Sequence, residues 1–246
     1  MTEELFREDA LLACCDANVT AIDERGVQLD RTVFYPLGGG QAGDRGVLVL
    51  PDGTELQIAD TRKGTLLGEI VHVPAPGQEA LLARIAVGQP VQARIDMHRR
   101  QRHMRFHTTT HLLCALIPHP VDGCSITAEY ARLDFHMSEP LDKEALTAGI
   151  ARLVAEAHPV RHRWISEAEL DANPGLVRSM SVQPPRSADG LGRVRLLEID
   201  GVDLQPCGGT HVANTAEVGA VVVTKIEKKS AMTRRVVLGF VESATR

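Results

Sequence analysis

Between residues 18 and 96 the apolar positions come in short β-prone runs, at residues 19–23, 27–29, 47–50, 56–59, 69–73 and 91–95. Turn signals such as Glu24-Arg25-Gly26 and Pro51-Asp52-Gly53 separate several of them. Short strands with this punctuation predict a small barrel or closed sheet. At His98 the pattern changes. Residues 99–117 hold no Gly or Pro, place Met104, Leu112, Leu113 and Leu116 at helical spacing, and stop before Pro118. They predict a helix of about five turns. A domain boundary near Asp96 follows, dividing the chain into residues 1–96 and 97–246.

Beyond the helix the pattern mixes both types. A strand is predicted at residues 131–136, a helix at 141–157 and a short helical segment after Ser166. An irregular stretch rich in Pro, Ser and Gly at 173–192 leads to strands at 194–199, 218–226 and 235–241. Helices and antiparallel strands segregated in this way point to an α+β layer. There is no internal repeat and no low-complexity tract.

Bulk properties narrow the function classes. At 246 residues the chain is long enough to bury a real core. No stretch approaches the roughly 18 uninterrupted apolar residues of a membrane span, and the acidic start lacks a signal-peptide profile. The expected location is cytoplasmic, with no membrane partner. Five cysteines, odd in number and irregularly spaced, argue against a disulfide framework and for reduced thiols, one of them free for metal or catalytic use. A net charge of −5 argues against nonspecific coating of nucleic acid. It leaves room for local basic patches, at Arg99, Arg100, Arg102 and Arg105 and across residues 225–235.

The strongest chemical signal is His107-Thr-Thr-Thr-His111 inside the predicted helix. Residues four apart lie one turn above each other and can offer two imidazoles to one ion. A second signal, Cys207-Gly-Gly-Thr-His211, offers a thiolate and an imidazole across a turn made permissive by two glycines. Together they supply N and S ligands suited to zinc. Four protein ligands suit a closed structural site and catalysis needs a displaceable position, so spacing alone leaves both open. A zinc protease of the helical type is disfavoured, because its general base follows the first His and here that residue is Thr108. His103, a turn before His107, is read as a polar neighbour or substrate contact.

Four segments resemble one known family, the alanyl-tRNA editing proteins (the AlaX group) and the matching editing domain of alanyl-tRNA synthetases. Thr32-Val-Phe-Tyr-Pro-Leu-Gly-Gly-Gly-Gln-Ala-Gly-Asp-Arg-Gly46 is similar to the family's glycine-rich motif. Asp96-Met-His-Arg-Arg100, with His107-Thr-Thr-Thr-His-Leu-Leu113, is similar to its first zinc motif. Gln205-Pro-Cys-Gly-Gly-Thr-His-Val212 is similar to its second, and Lys225-Ile-Glu-Lys-Lys-Ser230 to the basic strand end that follows. Ser230 stands where related sequences often have Gly.

The resemblance implies an α+β fold, a small N-terminal β-barrel followed by an α+β zinc-containing editing domain like the second additional domain of threonyl- and alanyl-tRNA synthetases. It implies Zn2+ on His107, His111, Cys207 and His211, near the 3′-terminal adenosine of a tRNA. The length fits the medium form, acting in trans as a deacylase of mischarged tRNA(Ala).

The expected chemistry is hydrolysis of an ester between an amino acid and a ribose hydroxyl. Zinc either activates the carbonyl and water or holds the substrate amino group. The N–H groups of Gly208 and Gly209 are oxyanion donors, or a tight turn that lets both ligands reach the ion. A synthetase pocket that admits alanine cannot strongly exclude glycine or serine, so a second sieve is needed. Seryl-tRNA(Ala) is the expected substrate, with glycyl-tRNA(Ala) second. Thr127 and Ser125 are candidates for the serine hydroxyl. Gln41 is expected to contact the terminal nucleotide or position a catalytic group. Arg99, Arg100, Lys225, Lys228, Lys229, Arg234 and Arg235 are candidates for phosphates of the acceptor end. Two alternatives stay open: an editor of another aminoacyl-tRNA, and a non-catalytic RNA-binding module with a structural zinc.

Overall fold

The computed structural model describes residues 1–187 and 191–241, which fall into two units, residues 1–38 with 42–101 and residues 39–41 with those from 102 onward. The division lies slightly beyond the boundary expected at Asp96, and it assigns the glycine-rich triplet 39–41 to the second unit.

The first unit contains β1 (Glu3–Glu4), β2 (Cys14–Asp23), β3 (Gly26–Leu29), β4 (Arg31–Thr32), β5 (Gly46–Val49), β6 (Glu55–Lys63), β7 (Ile70–Pro74), a one-turn α1 (Glu79–Leu82) and β8 (Pro90–Ile95). Six strands close into a barrel in the order β2-β3-β7-β6-β5-β8, and β1 pairs with β4 as a separate parallel ribbon. Alternation explains the closure. Along β8 exposed and buried positions strictly alternate, so Val91, Ala93 and Ile95 enter the same core as Val19, Leu29 and Leu48. The β2–β3 turn needs Gly26: its φ is +142°, and a Cβ there would stand 2.1 Å from the His72 carbonyl oxygen.

His72 and Arg100 are among the polar side chains buried in this unit. His72 is fully buried and satisfied as a neutral ring, with Nδ1 3.0 Å from the Val27 carbonyl and Nε2 2.8 Å from the Thr32 hydroxyl. Burial pushes its pKa down to about 4, against a smaller upward pull from the Val27 carbonyl. Arg100 is also fully buried. Its guanidinium pairs with Asp44 and donates to the carbonyls of Ala10 and Val33 at 2.9 and 2.6 Å, while Asp44 also accepts from the Tyr35 N–H at 2.6 Å. The phosphate contact expected of Arg100 does not fit this placement, because every face of the guanidinium is spent on the protein interior.

α2 (Met97–Leu116) carries the chain into the second unit, with Asp96 capping its start through the Arg99 N–H at 3.0 Å. There follow β9 (Val121–Ile126), β10 (Ala131–His136), α3 (Lys143–Ala155), β11 (Val160–Ser166), α4 (Glu167–Asp171), β12 (Arg193–Ile199), β13 (Asp203–Pro206), β14 (Val221–Ser230) and β15 (Thr233–Phe240). They form two antiparallel sheets, β14-β15-β10-β9 and β11-β12-β13. α3 is capped by Asp142 and buries Leu146, Ile150 and Leu153, each worth about 1.5–3 kcal/mol on full burial. α4 opens on a capping box of Ser166 and Glu169. No helix among the described residues is long and apolar enough to cross a membrane.

The predicted strand at 218–226 starts later than expected. Residues Thr215–Val218 form a 3-10 turn ended by Gly219 at φ +66°, and β14 begins at Val221. Within the predicted irregular stretch Pro174–Leu176 makes another 3-10 turn, and residues 188–190 of that stretch lie outside the described residues. β9, β11 and β13 were not among the predicted strands.

Candidate metal centre

One packed cluster sets up the site. Leu112 of α2, Leu153 of α3, Val160 of β11, Leu197 and Ile199 of β12, and Cys207 itself share a core. It fixes the middle of α2 against the loop that leaves β13. From His103 to Cys114 the helix is buried almost all round, polar residues included, so each polar group there needs a partner. The three threonines find theirs differently. Thr109 and Thr110 donate back to the carbonyls of Arg105 and His107, at 2.8 and 2.7 Å. Thr108 accepts from the Val212 N–H at 3.3 Å.

His107 and His111 rise from adjacent turns of α2, and Cys207 and His211 come from the loop after β13. All four are buried, and their ligand atoms lie within 4.8 Å of one another. The Cys207 sulfur is 3.4 Å from His107 Nε2 and 3.2 Å from His211 Nε2. These four residues form a group able to hold a metal ion.

Each imidazole is turned by a partner at Nδ1, which leaves Nε2 for the centre. His107 Nδ1 donates to Gln41 Oε1 at 2.8 Å, His111 Nδ1 to Asp203 Oδ2 at 2.8 Å, and His211 Nδ1 lies 3.3 Å from the Thr108 hydroxyl. Hydrogen bonds of this kind fix tautomer and ring orientation at metal sites. The partners are held in turn. Gln41 is fully buried, accepts from the Thr210 N–H at 3.1 Å and donates to the Thr210 hydroxyl at 3.0 Å. Asp203 accepts from Gln205 Nε2 at 2.7 Å. Arg195 donates to the carbonyls of Cys207 and Gly209, each at 3.0 Å, and so fixes the loop from behind.

The glycine pair works through space rather than through φ. Neither Gly208 nor Gly209 has a positive φ. A Cβ at Gly209 would stand 2.1 Å from His107 Cε1, so only glycine lets this loop and the ring pack together. Gly40 has both needs: its φ is +84° and a Cβ would meet Cys124 at 2.9 Å.

The charges suit a cation. Burial opposes a thiolate at Cys207, but the surrounding histidines outweigh it and hold its pKa well below the ordinary thiol value. Burial, reinforced by His107, lowers His211 to about 3, so it is a neutral donor. Burial also works against a charged His111, yet Asp203 and the Cys207 thiolate push it up to about 10. Two buried negative groups therefore hold a proton on His111 in a place a metal ion would serve better.

Other residues singled out by the sequence fall elsewhere. Thr127 lies past the end of β9, where its hydroxyl donates to the Tyr130 carbonyl and accepts from the N–H groups of Glu129 and Tyr130, all at 3.1 Å. That hydroxyl is engaged within its own turn. Alternation along β9 turns Ser125 away from the side on which Cys124 meets Gly40. His103 is fully buried in α2, and Arg99 is half-buried.

Of the basic candidates, Lys228 and Lys229 are exposed with no ion pair among the described residues. Lys225 pairs with Glu227 at 2.6 Å, and Arg235 grips Asp134 with two bonds of 2.7 and 2.8 Å. Arg234 is buried, donating to the carbonyls of Ser138, Glu139 and Ser230. It pins the β14–β15 hairpin and has no face for a phosphate. Ser230 takes part in that hairpin turn, its hydroxyl accepting from the Met232 N–H at 3.1 Å, without a positive φ.

Asp203, Thr108 and Arg195 were missed as supporting residues. Motif spacing gives no sign of them, because their relation to the ligands arises only on folding.

Comparison with known proteins agrees with this geometry. The family described as "Threonyl and Alanyl tRNA synthetase second additional domain" matches residues 194–237, and "tRNA synthetases class II (A)" matches residues 12–99. The chain is 32% identical to the alanyl-tRNA editing protein AlaX-M of Methanosarcina mazei, over 100% of this chain and 99% of that one. It is 34% identical to the AlaX-M of Methanosarcina acetivorans, over 96% and 97%. It is also 32% identical to the alanine–tRNA ligase of Pyrococcus furiosus, over 100% of this chain but 26% of the ligase.

Proposed function

From the premise that the chain belongs to the alanyl-tRNA editing proteins of the AlaX-M type, we propose that it is a zinc-dependent deacylase of mischarged tRNA(Ala), acting chiefly on the seryl ester and secondarily on the glycyl ester. The observation that carries this reading is the convergence of His107, His111, Cys207 and His211, each imidazole turned inward by a separate partner. Three imidazoles and a thiolate are a zinc donor set. When bound, zinc supplies a Lewis acid for the ester carbonyl or an anchor for the substrate amino group.

The residues of the chain do the rest. Gln41 and Asp203 hold His107 and His111 in the tautomer that presents Nε2, so the site is set before substrate arrives. The Gly209 N–H has no hydrogen-bond acceptor among the described residues, although Gly209 is buried beside Cys207. A buried, uncommitted donor next to the centre suits a developing oxyanion, and removing such a donor costs about 10²–10³ in kcat. Gly208 precedes it in the same loop between Cys207 and His211. Selectivity for serine follows from polar groups that alanine leaves unsatisfied, at roughly 1–3 kcal/mol for each buried group. Lys228 and Lys229 are the exposed cations that suit acceptor-end phosphates.

One observation favours a second reading. Four protein donors are the usual complement of a closed structural site. The deciding experiment measures hydrolysis of seryl-, glycyl- and alanyl-tRNA(Ala) by the metal-loaded protein and after chelation, with thermal melting alongside. Loss of seryl-ester hydrolysis in a folded, chelated protein is expected. Hydrolysis that persists without metal, or that falls only in step with unfolding, would end the catalytic reading.

A further inference from the structure

α2 carries a second polar feature on a face turned away from the metal ligands. Arg102 and Arg105 are three residues apart and so neighbours on one face, whereas from Arg105 to His107 the helix turns by about 200°. Both guanidiniums lie over the ring of Phe240 at the end of β15, Arg102 at 4.4 Å and Arg105 at 4.1 Å from its centroid. Phe106 packs against the same ring at 4.0 Å. Each guanidinium is fixed at Nε: Arg102 donates to the Ala128 carbonyl at 2.5 Å and Arg105 to the Val218 carbonyl at 2.7 Å. The backbone passes close at Gly219, where a Cβ would meet Arg105 Nη2 at 3.0 Å.

What this arrangement lacks is a counter-charge. Among the described residues, neither arginine has a carboxylate within salt-bridge distance, and their terminal nitrogens have no hydrogen-bond acceptor. The arginines buried in this unit, Arg195 and Arg234, donate their terminal nitrogens to carbonyls. The ring face and the two carbonyls hold the pair in place, and an anion with several acceptor oxygens would complete it.

We propose that Arg102 and Arg105, stacked on Phe240, bind a phosphodiester of the RNA substrate. Because the pair lies across the helix from the metal ligands, the phosphate belongs to a nucleotide set back from the one that carries the ester. The inference rests on the reading of this chain as a tRNA editing enzyme.

The test compares Arg102→Gln, Arg105→Gln and Arg105→Lys with the parent. Binding of uncharged tRNA(Ala) is measured across a salt series, with kcat and KM for seryl-tRNA(Ala). Each Gln variant is expected to reduce the slope of log K against log salt by about 0.7–0.9, one phosphate contact, and to raise KM about tenfold with kcat at saturation unchanged. Arg105→Lys keeps the charge and should keep the slope, which separates phosphate binding from a purely structural role. Arg84→Gln, at an exposed pair with Asp52, should change neither quantity. Unchanged slopes and KM in Arg102→Gln and Arg105→Gln, with an active parent, would overturn the proposal. A parent that binds tRNA but hydrolyses no mischarged ester would instead refute the enzymatic reading, and the slopes would still judge the arginines.

Discussion

Gly209→Ala is the smallest change that tests how the metal centre is built. The added Cβ would stand 2.1 Å from His107 Cε1, 2.3 Å from its Nδ1 and 2.9 Å from Gln41 Oε1. Ordinary carbon contacts begin near 3.4 Å, so the ring or the loop must give by roughly 1.3 Å. Metal–ligand distances tolerate only about ±0.2 Å. If the ring yields, His107 loses both its bond to Gln41 and its aim. If the loop yields, Cys207 and His211 move with it. Disturbing an outer partner alone costs about 10–100-fold in metal affinity, and here a ligand is displaced as well, so a loss of about 100-fold or more is expected. Competition with a colorimetric chelator measures it, with circular dichroism as a check on folding. Gly123→Ala is the control, since its Cβ would meet nothing nearer than 3.5 Å. A Gly209→Ala protein that holds metal with the parental affinity would refute this account of the site.

Other substitutions probe other parts of the molecule. Asp203→Asn removes the carboxylate that orients His111 and should weaken metal binding about 10–100-fold, read by the same competition; unchanged affinity would show that the hydrogen bond does not matter. Asp44→Ala leaves the Arg100 guanidinium buried without its partner and should cost about 3–5 kcal/mol in urea unfolding, whereas a loss under about 1 kcal/mol would mean the pair is not desolvated as described. His72 links stability to pH. Its folded pKa, about 4, lies below the ordinary 6.5, so the unfolded chain takes up the proton first as pH falls. The contribution is complete above pH 6.5, is lost between 6.5 and 4, and amounts to roughly 3 kcal/mol. His72→Gln should show a correspondingly shallower fall in unfolding free energy across that window, and parallel curves for parent and variant would contradict it.

The barrel was legible because its strands bury one face and expose the other, and the long helix because nothing in residues 99–117 interrupts it. β11 escaped for the opposite reason. Val160–Ser166 exposes most of its side chains, so no alternation marks it, and it is a strand because its backbone pairs with β12 from Ile199 to Arg193. Gly123 and Cys124 likewise hide β9. The metal ligands could be read from two spacings, each local to one segment. Their supports could not: Asp203 meets His111 across 92 residues, and Gln41 meets Thr210 across 169. Charge misled at Arg100 and Arg234, because a sequence displays a guanidinium without displaying the carbonyls and carboxylates that enclose it.

The separation of His107 and Cys207 by 100 residues has a consequence for how an ion is taken up. Closing a loop of that length costs the chain about 4–5 kcal/mol of conformational freedom. The apolar contacts of Leu112 and the bonds from Gln41 and Asp203 meet that cost during folding, so an arriving ion finds the donors already gathered. An unfolded chain offers it no more than one local pair at a time. The centre is therefore a socket rather than a clasp, and ions should enter and leave a chain that keeps its shape.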